Sequence, residues 1–208
     1  MQKKALVEAL GTFFLVLVIG LTVVAPGAGA MAPLAIGAIL MTMIYAGGPI
    51  SGAHYNPAVT LAACLARKCN TKDALPYIGA QVVGAVLAAI LVGFLKRGSA
   101  VMAMQPQALP AFLVELGFTF ALAYVVLNVA TTKKSAGNSY FGLAIGFTVM
   151  AAAYAGGPIS GGAFNPAVAL GITVMGLVAP ANLWIFLIAN FTGGSLAALV
   201  FRLTNPDT

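Results

Sequence analysis

The chain is poor in the residue types that enzymes and metal sites use. Its 208 residues include four acidic residues, one histidine, two cysteines and one tryptophan. The sequence contains no Ser-His-Asp set, no metal-ligand cluster and no nucleotide-binding loop, so it offers little material for catalysis. We therefore expect a protein that is not an enzyme and that uses no cofactor and no metal.

Charged residues are also scarce. They make up 7% of the chain, against about a quarter of an ordinary soluble domain. Hydrophobic residues reach 61%, and the apolar runs are long and continuous rather than short and alternating. Because only helices and closed barrels satisfy the backbone within lipid, this pattern predicts an all-α membrane protein with the bilayer as its solvent.

The positive charge does not indicate a nucleic-acid partner. The net charge is +6, but the ten Lys and Arg residues fall mostly in pairs between apolar runs, as topology signals do. The first apolar run imitates a secretory signal, yet it is too long and contains Glu8, and a similar segment recurs with Glu115. Cys64 and Cys69 fit no metal-binding spacing, and we expect unpaired structural thiols there.

Windows of about 20 residues predict six membrane spans. They cover residues 5–25, 31–48, 76–95, 109–130, 140–157 and 180–202. Two shorter apolar stretches, 56–66 and 165–176, each begin with Asn-Pro-Ala and are too short to cross a bilayer. We expect these two stretches to be re-entrant half-helices.

The chain contains an internal duplication. Residues 34–61, LAIGAILMTMIYAGGPISGAHYNPAVTL, align without gaps on 143–170, LAIGFTVMAAAYAGGPISGGAFNPAVAL, with identity at 18 of 28 positions. We interpret the chain as one domain built from two repeats, approximately 1–100 and 105–208. Each repeat has three full spans, an odd number, so the second repeat must run inverted relative to the first.

The basic residues predict the orientation of the chain in a cell membrane. With both termini in the cytoplasm, Lys96 and Arg97 alone lie outside, and eight basic residues lie inside, as the positive-inside rule requires. The eight are Lys3, Lys4, Arg67, Lys68, Lys72, Lys133, Lys134 and Arg202.

The two Asn-Pro-Ala boxes have the composition of helix starts. They comprise Asn56, Pro57 and Ala58 in the first repeat and Asn165, Pro166 and Ala167 in the second. Asn is a favoured N-cap, and Pro fits the first helical turn, where its missing N–H costs nothing. The preceding Gly-Gly-Pro-Ile-Ser-Gly stretch is expected to be unwound and to expose carbonyls, which a membrane tolerates only around a wet cavity.

Inversion brings the two half-helix starts together near the middle of the membrane. Each carries a partial positive charge of roughly +0.5 and presents an Asn amide as a donor. Two positive helix ends repel cations, protons included, and accept the lone pairs of neutral oxygen compounds. The arrangement predicts a pathway for small uncharged solutes.

These motifs together resemble the aquaporin and aquaglyceroporin family, also called major intrinsic proteins. The resemblance rests on the paired boxes, on SGAHYNPAVT around the first box, and on a Glu-x-x-x-Thr-Phe pattern that starts at Glu8 and again at Glu115. It implies six tilted helices with two re-entrant half-helices, one pore per subunit, and usually a homotetramer. It also implies a passive channel.

The resemblance assigns expected roles to further residues. Pore-lining backbone carbonyls are expected at Gly52, Ala53, His54, Gly161, Gly162 and Ala163. Glu8 and Glu115 are expected to support the loops before the half-helices. The alternative is a proton-coupled transporter that uses these two carboxylates, because intramembrane acids are costly and often functional. Two hypotheses apply to His54: it acts as a pH gate, or it is a structural residue.

The sequence departs from the family where the outer selectivity filter is expected. Most relatives continue the second box with Arg, whereas this chain has Val168, and the family's spacing places Ile36, Ala153 and Gly162 beside it. Such a small, apolar filter resembles a minority of bacterial members associated with bulkier neutral solutes such as metalloid hydroxides and methylated arsenicals. The alternative is a water-selective aquaporin. Water, glycerol, urea, hydrogen peroxide and ammonia also stay open as solutes.

Overall fold

A computed structural model describes residues 1–206 of the chain. It contains eight α-helices, and the only β-type pairing among these residues is an isolated bridge between Met104 and Val178. The helices are α1 (Gln2–Val23), α2 (Ala32–Ser51), α3 (Pro57–Leu65), α4 (Thr71–Leu95), α5 (Ala108–Thr131), α6 (Phe141–Ser160), α7 (Pro166–Val174) and α8 (Leu183–Thr204).

Six of these helices are long and apolar enough to cross a membrane, namely α1, α2, α4, α5, α6 and α8. The other two, α3 and α7, have nine residues each. At 1.5 Å per residue, nine residues reach about 14 Å, less than half of a hydrocarbon core of roughly 30 Å. The architecture is therefore the all-α arrangement predicted above, with six spans and two half-helices.

The helix boundaries differ from the predicted ones at polar starts and at the glycine-rich stretches. Helix α4 begins at Thr71, five residues before the predicted apolar window, because the Asn70 side chain accepts a hydrogen bond from Lys72 N at 3.0 Å and caps it. Helices α2 and α6 continue to Ser51 and Ser160. The expectation that the whole Gly-Gly-Pro-Ile-Ser-Gly stretch is unwound was therefore wrong, since only its last glycine leaves the helix.

Glycines set the closest helix crossings. A Cβ at Gly84 in α4 would lie 2.2 Å from the Ala9 carbonyl oxygen in α1, and a Cβ at Gly193 in α8 would lie 2.5 Å from the Leu116 oxygen in α5. In the centre of the bundle, a Cβ at Gly37 of α2 would lie 2.7 Å from the Gly146 oxygen of α6. The backbones thus meet at equivalent places in both repeats, as small residues allow in membrane bundles.

Each half-helix packs against the last long helix of the other repeat. Helix α3 contacts α8, and helix α7 contacts α4. The two half-helices also touch each other. This crossed arrangement fixes the starts of α3 and α7 in the interior of the bundle, where Ala58, Val59, Ala167 and Val168 are buried.

Candidate functional site

The two Asn side chains cap the half-helices. Asn56 Oδ1 accepts from Ala58 N at 2.8 Å and Val59 N at 3.4 Å. Asn165 Oδ1 does the same for Ala167 N at 2.9 Å and Val168 N at 3.4 Å. Both oxygens therefore satisfy helix-start donors that would otherwise have no partner in a buried place.

The amide nitrogens of the same two residues link the repeats. Asn56 Nδ2 donates to the Phe164 carbonyl at 2.9 Å, and Asn165 Nδ2 donates to the Tyr55 carbonyl at 2.8 Å. An amide nitrogen carries two hydrogens, so each Asn retains one further donor after making this bond. The two remaining donors belong to side chains that line the narrow cavity described below.

Glu8 is fully buried and holds the loop before α3. Its Oε1 accepts from Ser51 Oγ at 2.7 Å and from His54 N at 3.0 Å. Its Oε2 accepts from Tyr55 N at 2.7 Å. Glu8 belongs to α1, and its side chain has no exposed surface. The carboxylate therefore holds the loop backbone in place and does not face a cavity.

Glu115 makes the equivalent bonds in the second repeat. Its Oε1 accepts from Ser160 Oγ at 2.7 Å and from Ala163 N at 2.9 Å, and its Oε2 accepts from Phe164 N at 2.7 Å. It is also fully buried. The structure thus places the two carboxylates in matching structural networks, and neither lines the cavities described below.

The loops before the half-helices have an unusual backbone. Ala53, Tyr55 and Phe164 have positive φ values of 51°, 50° and 51°, in the left-handed region that L-residues rarely adopt. Gly161 and Gly162 follow the same course with φ of 98° and 68°. The bonds to the two glutamates hold this strained backbone in place.

This backbone leaves six carbonyl oxygens without a protein donor. Within residues 1–206, no hydrogen bond to a protein group reaches the oxygens of Gly52, Ala53, His54, Gly161, Gly162 or Ala163. All six residues line a cavity of the pathway described next. Interior carbonyls without partners are stable only where water or a polar solute reaches them.

Three cavities lie in series through the bundle. We call them the upper vestibule, of about 600 Å³, the constriction, of about 30 Å³, and the lower vestibule, of about 560 Å³. Ile36, Gly162 and Val168 line both the upper vestibule and the constriction, and Ile44 and His54 line both the constriction and the lower vestibule. The shared residues join the three cavities into one path.

The constriction has one polar side and one apolar side. Asn56 and Asn165 line it together with the loop residues, and aliphatic side chains complete the wall. The aliphatic residues are Leu15, Ile19, Ile36, Leu40, Ile44, Val59, Leu122, Val126, Ile145, Val149 and Val168. A water needs about 10–15 Å³ of such space, so this volume holds about two waters. A space this narrow holds small molecules in single file beside the two amides.

The four residues expected at the filter lie near one another at the upper end of this path. Ile36, Gly162 and Val168 stand where the upper vestibule meets the constriction, and Ala153 lies in the vestibule wall. No charged side chain lines the upper vestibule among the described residues. This entrance is therefore uncharged, and its lining provides no cationic barrier.

The lower vestibule is the charged end of the path. Lys4 Nζ and Asp73 Oδ2 form an ion pair at 3.1 Å in its wall, near Lys68 and Asn70. His54 lies at its junction with the constriction, where its Nδ1 is 3.1 Å from Thr60 Oγ1. The His54 backbone N–H is bonded to Glu8, so the histidine has structural bonds at two points.

Sequence reasoning missed two residues that support this site. Gln81 in α4 donates from Nε2 to Glu8 Oε2 at 2.8 Å and to Thr60 Oγ1 at 3.0 Å. Tyr55 fills the space left by Gly11 and Gly47, and its hydroxyl donates to the Met43 carbonyl at 2.9 Å. A polar residue inside an apolar span was the available signal for Gln81, and Asn190 stands at the equivalent place in the second repeat.

Comparisons with known proteins give a consistent result. A family model described as "Major intrinsic protein" matches residues 1–201. The chain is 37% identical to "Glycerol uptake facilitator protein-like 6" of Lactiplantibacillus plantarum, over 99% of this chain and 100% of that protein. It is 32% identical to "Putative aquaporin NIP4-1" of Arabidopsis thaliana, over 98% of this chain and 75% of that protein.

A solved structure shares the fold. The aquaglyceroporin from Plasmodium falciparum superimposes with a TM-score of 0.82 at 22% sequence identity, covering 99% of this chain and 97% of that chain. At this identity the likeness concerns the arrangement of helices and half-helices.

Proposed function

Because the chain belongs to the major intrinsic protein family, we propose that it conducts small uncharged solutes of glycerol size as well as water. Members of this family are passive channels, and the chain is a membrane channel for water and small solutes, not an enzyme. The proposal concerns which solutes pass and which residues select them.

The observation that carries the proposal is the uncharged upper entrance. Val168 is buried at the end of the upper vestibule, where an arginine would add a long cationic side chain with five donors. Ile36 and Gly162 complete this boundary without a charge or an aromatic ring. An apolar, uncharged filter lowers the cost of admitting solutes that carry carbon or a metalloid centre beside their hydroxyl groups.

The path below the filter supplies polar contacts for such solutes. We assign the two Asn amides the role of donors and the six loop carbonyls the role of acceptors, so that a passing hydroxyl exchanges its water partners for protein partners. The aliphatic wall opposite them suits the carbon side of the same solute. The relative named as a glycerol uptake facilitator-like protein supports this class of solute.

Water selectivity is the second candidate. Its support is the small volume of the constriction, about 30 Å³, which admits few atoms at once. Proton-coupled transport has no such support, because Glu8 and Glu115 are fully buried, bonded to loop backbone and away from the path. We propose a structural role for both carboxylates.

We propose a cell-membrane location with both termini in the cytoplasm and a homotetrameric assembly. The distribution of basic residues supports this orientation, because Lys4 and Lys68 lie at the lower vestibule, and Lys96 and Arg97 follow the end of α4 at the opposite side. The lower vestibule then faces the cytoplasm. We propose the homotetramer because it is the usual oligomeric state in the family.

A solute panel tests the proposal. Purified protein in liposomes is exposed to gradients of glycerol, urea, arsenous acid and an impermeant sugar, and volume is followed by light scattering against empty liposomes. We expect glycerol to enter many times faster than in empty liposomes, together with rapid water flux. Rapid water flux with glycerol entry at the empty-liposome rate would instead establish the water-selective alternative.

A further inference from the structure

The only two cysteines of the chain meet at the end of the first half-helix. Cys64 lies in the last turn of α3, and Cys69 lies in the turn between α3 and α4. In this turn Arg67 has a φ of 59°, and the N–H groups of Lys68 and Cys69 both donate to the Ala63 carbonyl, at 2.7 Å and 3.2 Å. The chain therefore folds back on α3 and returns Cys69 to the side of Cys64.

The two thiols share one environment. Cys64 Sγ and Cys69 Sγ lie 4.0 Å and 3.6 Å from the same acceptor, the Asn70 carbonyl oxygen. The Cys64 thiol also lies close enough to Cys69 to contribute to the raised pKa of the Cys69 thiol. Both are free and half-buried. The geometry is a close pair of sulfurs rather than two separate cysteines.

Cys69 of the pair can be reached from the path. Cys69 lines the lower vestibule together with Lys68, Asn70 and Asp73. A solute that enters or leaves through this vestibule therefore passes beside the sulfur. This setting differs from that of a thiol buried in a helix interface.

The ligand set is two sulfurs and no more. Residues 1–206 contain no group of three or more His, Cys, Asp or Glu side chains that could hold a metal ion, so a four-coordinate zinc site is not available here. Trivalent arsenic needs only two sulfurs when it keeps a third substituent. It joins them in a bent unit, which suits two sulfurs that lie near one acceptor, whereas a linear two-sulfur metal complex would hold them apart.

Reactivity favours a ligand that takes both thiols at once. Burial and the adjacent Cys64 thiol raise the pKa of Cys69 to about 12. At neutral pH the Cys69 thiolate is therefore rare, and electrophiles that need a single thiolate as nucleophile react slowly with Cys69. A chelating reagent forms a second bond, to the Cys64 sulfur, and this second bond offsets the low reactivity of the Cys69 thiol.

We propose that Cys64 and Cys69 form a dithiol site for trivalent arsenic compounds at the lower mouth of the channel. With an arsenoso compound R–As=O, two As–S bonds form and the As–O bond breaks. The oxygen leaves as one water with the two thiol protons. Arsenic stays trivalent, so no oxidant or reductant takes part. The site does not depend on which solutes the channel conducts.

Phenylarsine oxide tests the site on the full-length chain in detergent. After reduction and removal of the reductant, free thiols are counted with and without one equivalent of the reagent, and the mass of the adduct is measured. We expect wild type to lose both free thiols and to gain one phenylarsenic per chain. A small dithiol should reverse the adduct, and a monothiol at the same concentration should not.

Cys64→Ser and Cys69→Ser are the matched controls, because each keeps one thiol in the same turn. Elution volume and melting temperature confirm that each variant is folded. Each should keep its free thiol after the same treatment and removal of unbound reagent. A single-cysteine variant that retains arsenic as well as wild type, or a wild-type chain that retains two free thiols, would overturn the proposal.

Discussion

Val168 is the residue on which the proposed selectivity depends. It stands at the boundary between the upper vestibule and the constriction, with 2% of its surface exposed. Its importance was expected from the family resemblance, because most relatives carry Arg directly after the second Asn-Pro-Ala box, where this chain has Val168. The residues that complete the boundary come from α2 and the loop before α7, and their proximity could be predicted only from the family's spacing.

Val168→Arg should convert the entrance into a narrower, cationic one. We expect glycerol permeability to fall at least about tenfold, which corresponds to about 1.4 kcal/mol of added barrier, while water flux stays measurable. Light scattering on proteoliposomes at matched protein content measures both. Val168→Leu adds bulk without charge and serves as the control. An unchanged ratio of glycerol to water permeability in Val168→Arg would show that this residue does not select solutes.

For the two glutamates, a role in supporting the loops was expected from the family resemblance, but their individual partners were not predicted. Their intramembrane position was visible, but both oxygens of each carboxylate accept backbone N–H groups that lie more than 40 positions away along the chain. Contacts of such separation follow from the packing of α1 and α5 against the loops. No local pattern of residues specifies them.

Glu115→Gln should destabilise the fold. An amide has one acceptor oxygen, so either Ala163 N or Phe164 N would face an NH₂ group. A buried donor left without a partner costs about 1–3 kcal/mol, which a lowered melting temperature in detergent would reveal. Glu8→Gln should shift the melting temperature in the same direction, because Glu8 makes the equivalent bonds. Wild-type melting temperatures in both variants would refute the support role.

The half-helices are the elements that the sequence predicted most directly. Asn at the cap and Pro at the first turn place the starts of α3 and α7 at Pro57 and Pro166. The glycine-rich stretch before them was wrongly predicted to be unwound, because Gly and Pro usually break helices in water. In a membrane bundle, neighbouring helices and side chains compensate for such residues, and α2 and α6 continue through Pro49 and Pro158.

Asn165→Leu should damage both the cap and the path. The change removes a cap worth about 1 kcal/mol, the bond to the Tyr55 carbonyl and a donor in the constriction. It also places an apolar side chain where two waters fit. We expect water and glycerol flux per inserted protein to fall sharply.

Asn70→Leu is the matched control for this change. Asn70 caps α4 in the same way, by accepting from Lys72 N, but it is exposed at the wide lower vestibule. This variant should lose some stability and keep its flux. If Asn165→Leu conducts like Asn70→Leu, the paired boxes do not line the path.

The helix crossings at glycine give a test of the packing. Gly84→Ala in α4 would place a Cβ 2.2 Å from the Ala9 backbone oxygen, so α1 and α4 must separate. Overpacking of this kind costs typically 1–3 kcal/mol, and the melting temperature should fall. Gly93→Ala, on the same helix, has no neighbour within 4 Å of the new Cβ and should be neutral or slightly stabilising. Equal melting temperatures would contradict the described crossing.

The whole molecule is organised by its two sequence repeats. The repeat at an offset of 109 residues was readable from the sequence, and it places equivalent caps, carboxylates and loops around one path. The large vestibules could not be predicted from the sequence. The segment before α5 contributes Met102 and Met104 to the upper vestibule, and it has no hydrophobic periodicity. The loop that lines the upper entrance is specified only by its contacts with the folded bundle.

The central claim is that neutral solutes cross passively between the two half-helices, without coupling to protons or to voltage. Glycerol flux into proteoliposomes should be measured in both directions, at several imposed potassium diffusion potentials, and with and without a protonophore. We expect equal permeabilities in every condition and no ion current above that of empty liposomes, because an uncharged solute gains no energy from the potential and the two positive helix ends repel cations. A flux that stops with the protonophore, or that changes with the potential, would contradict this account.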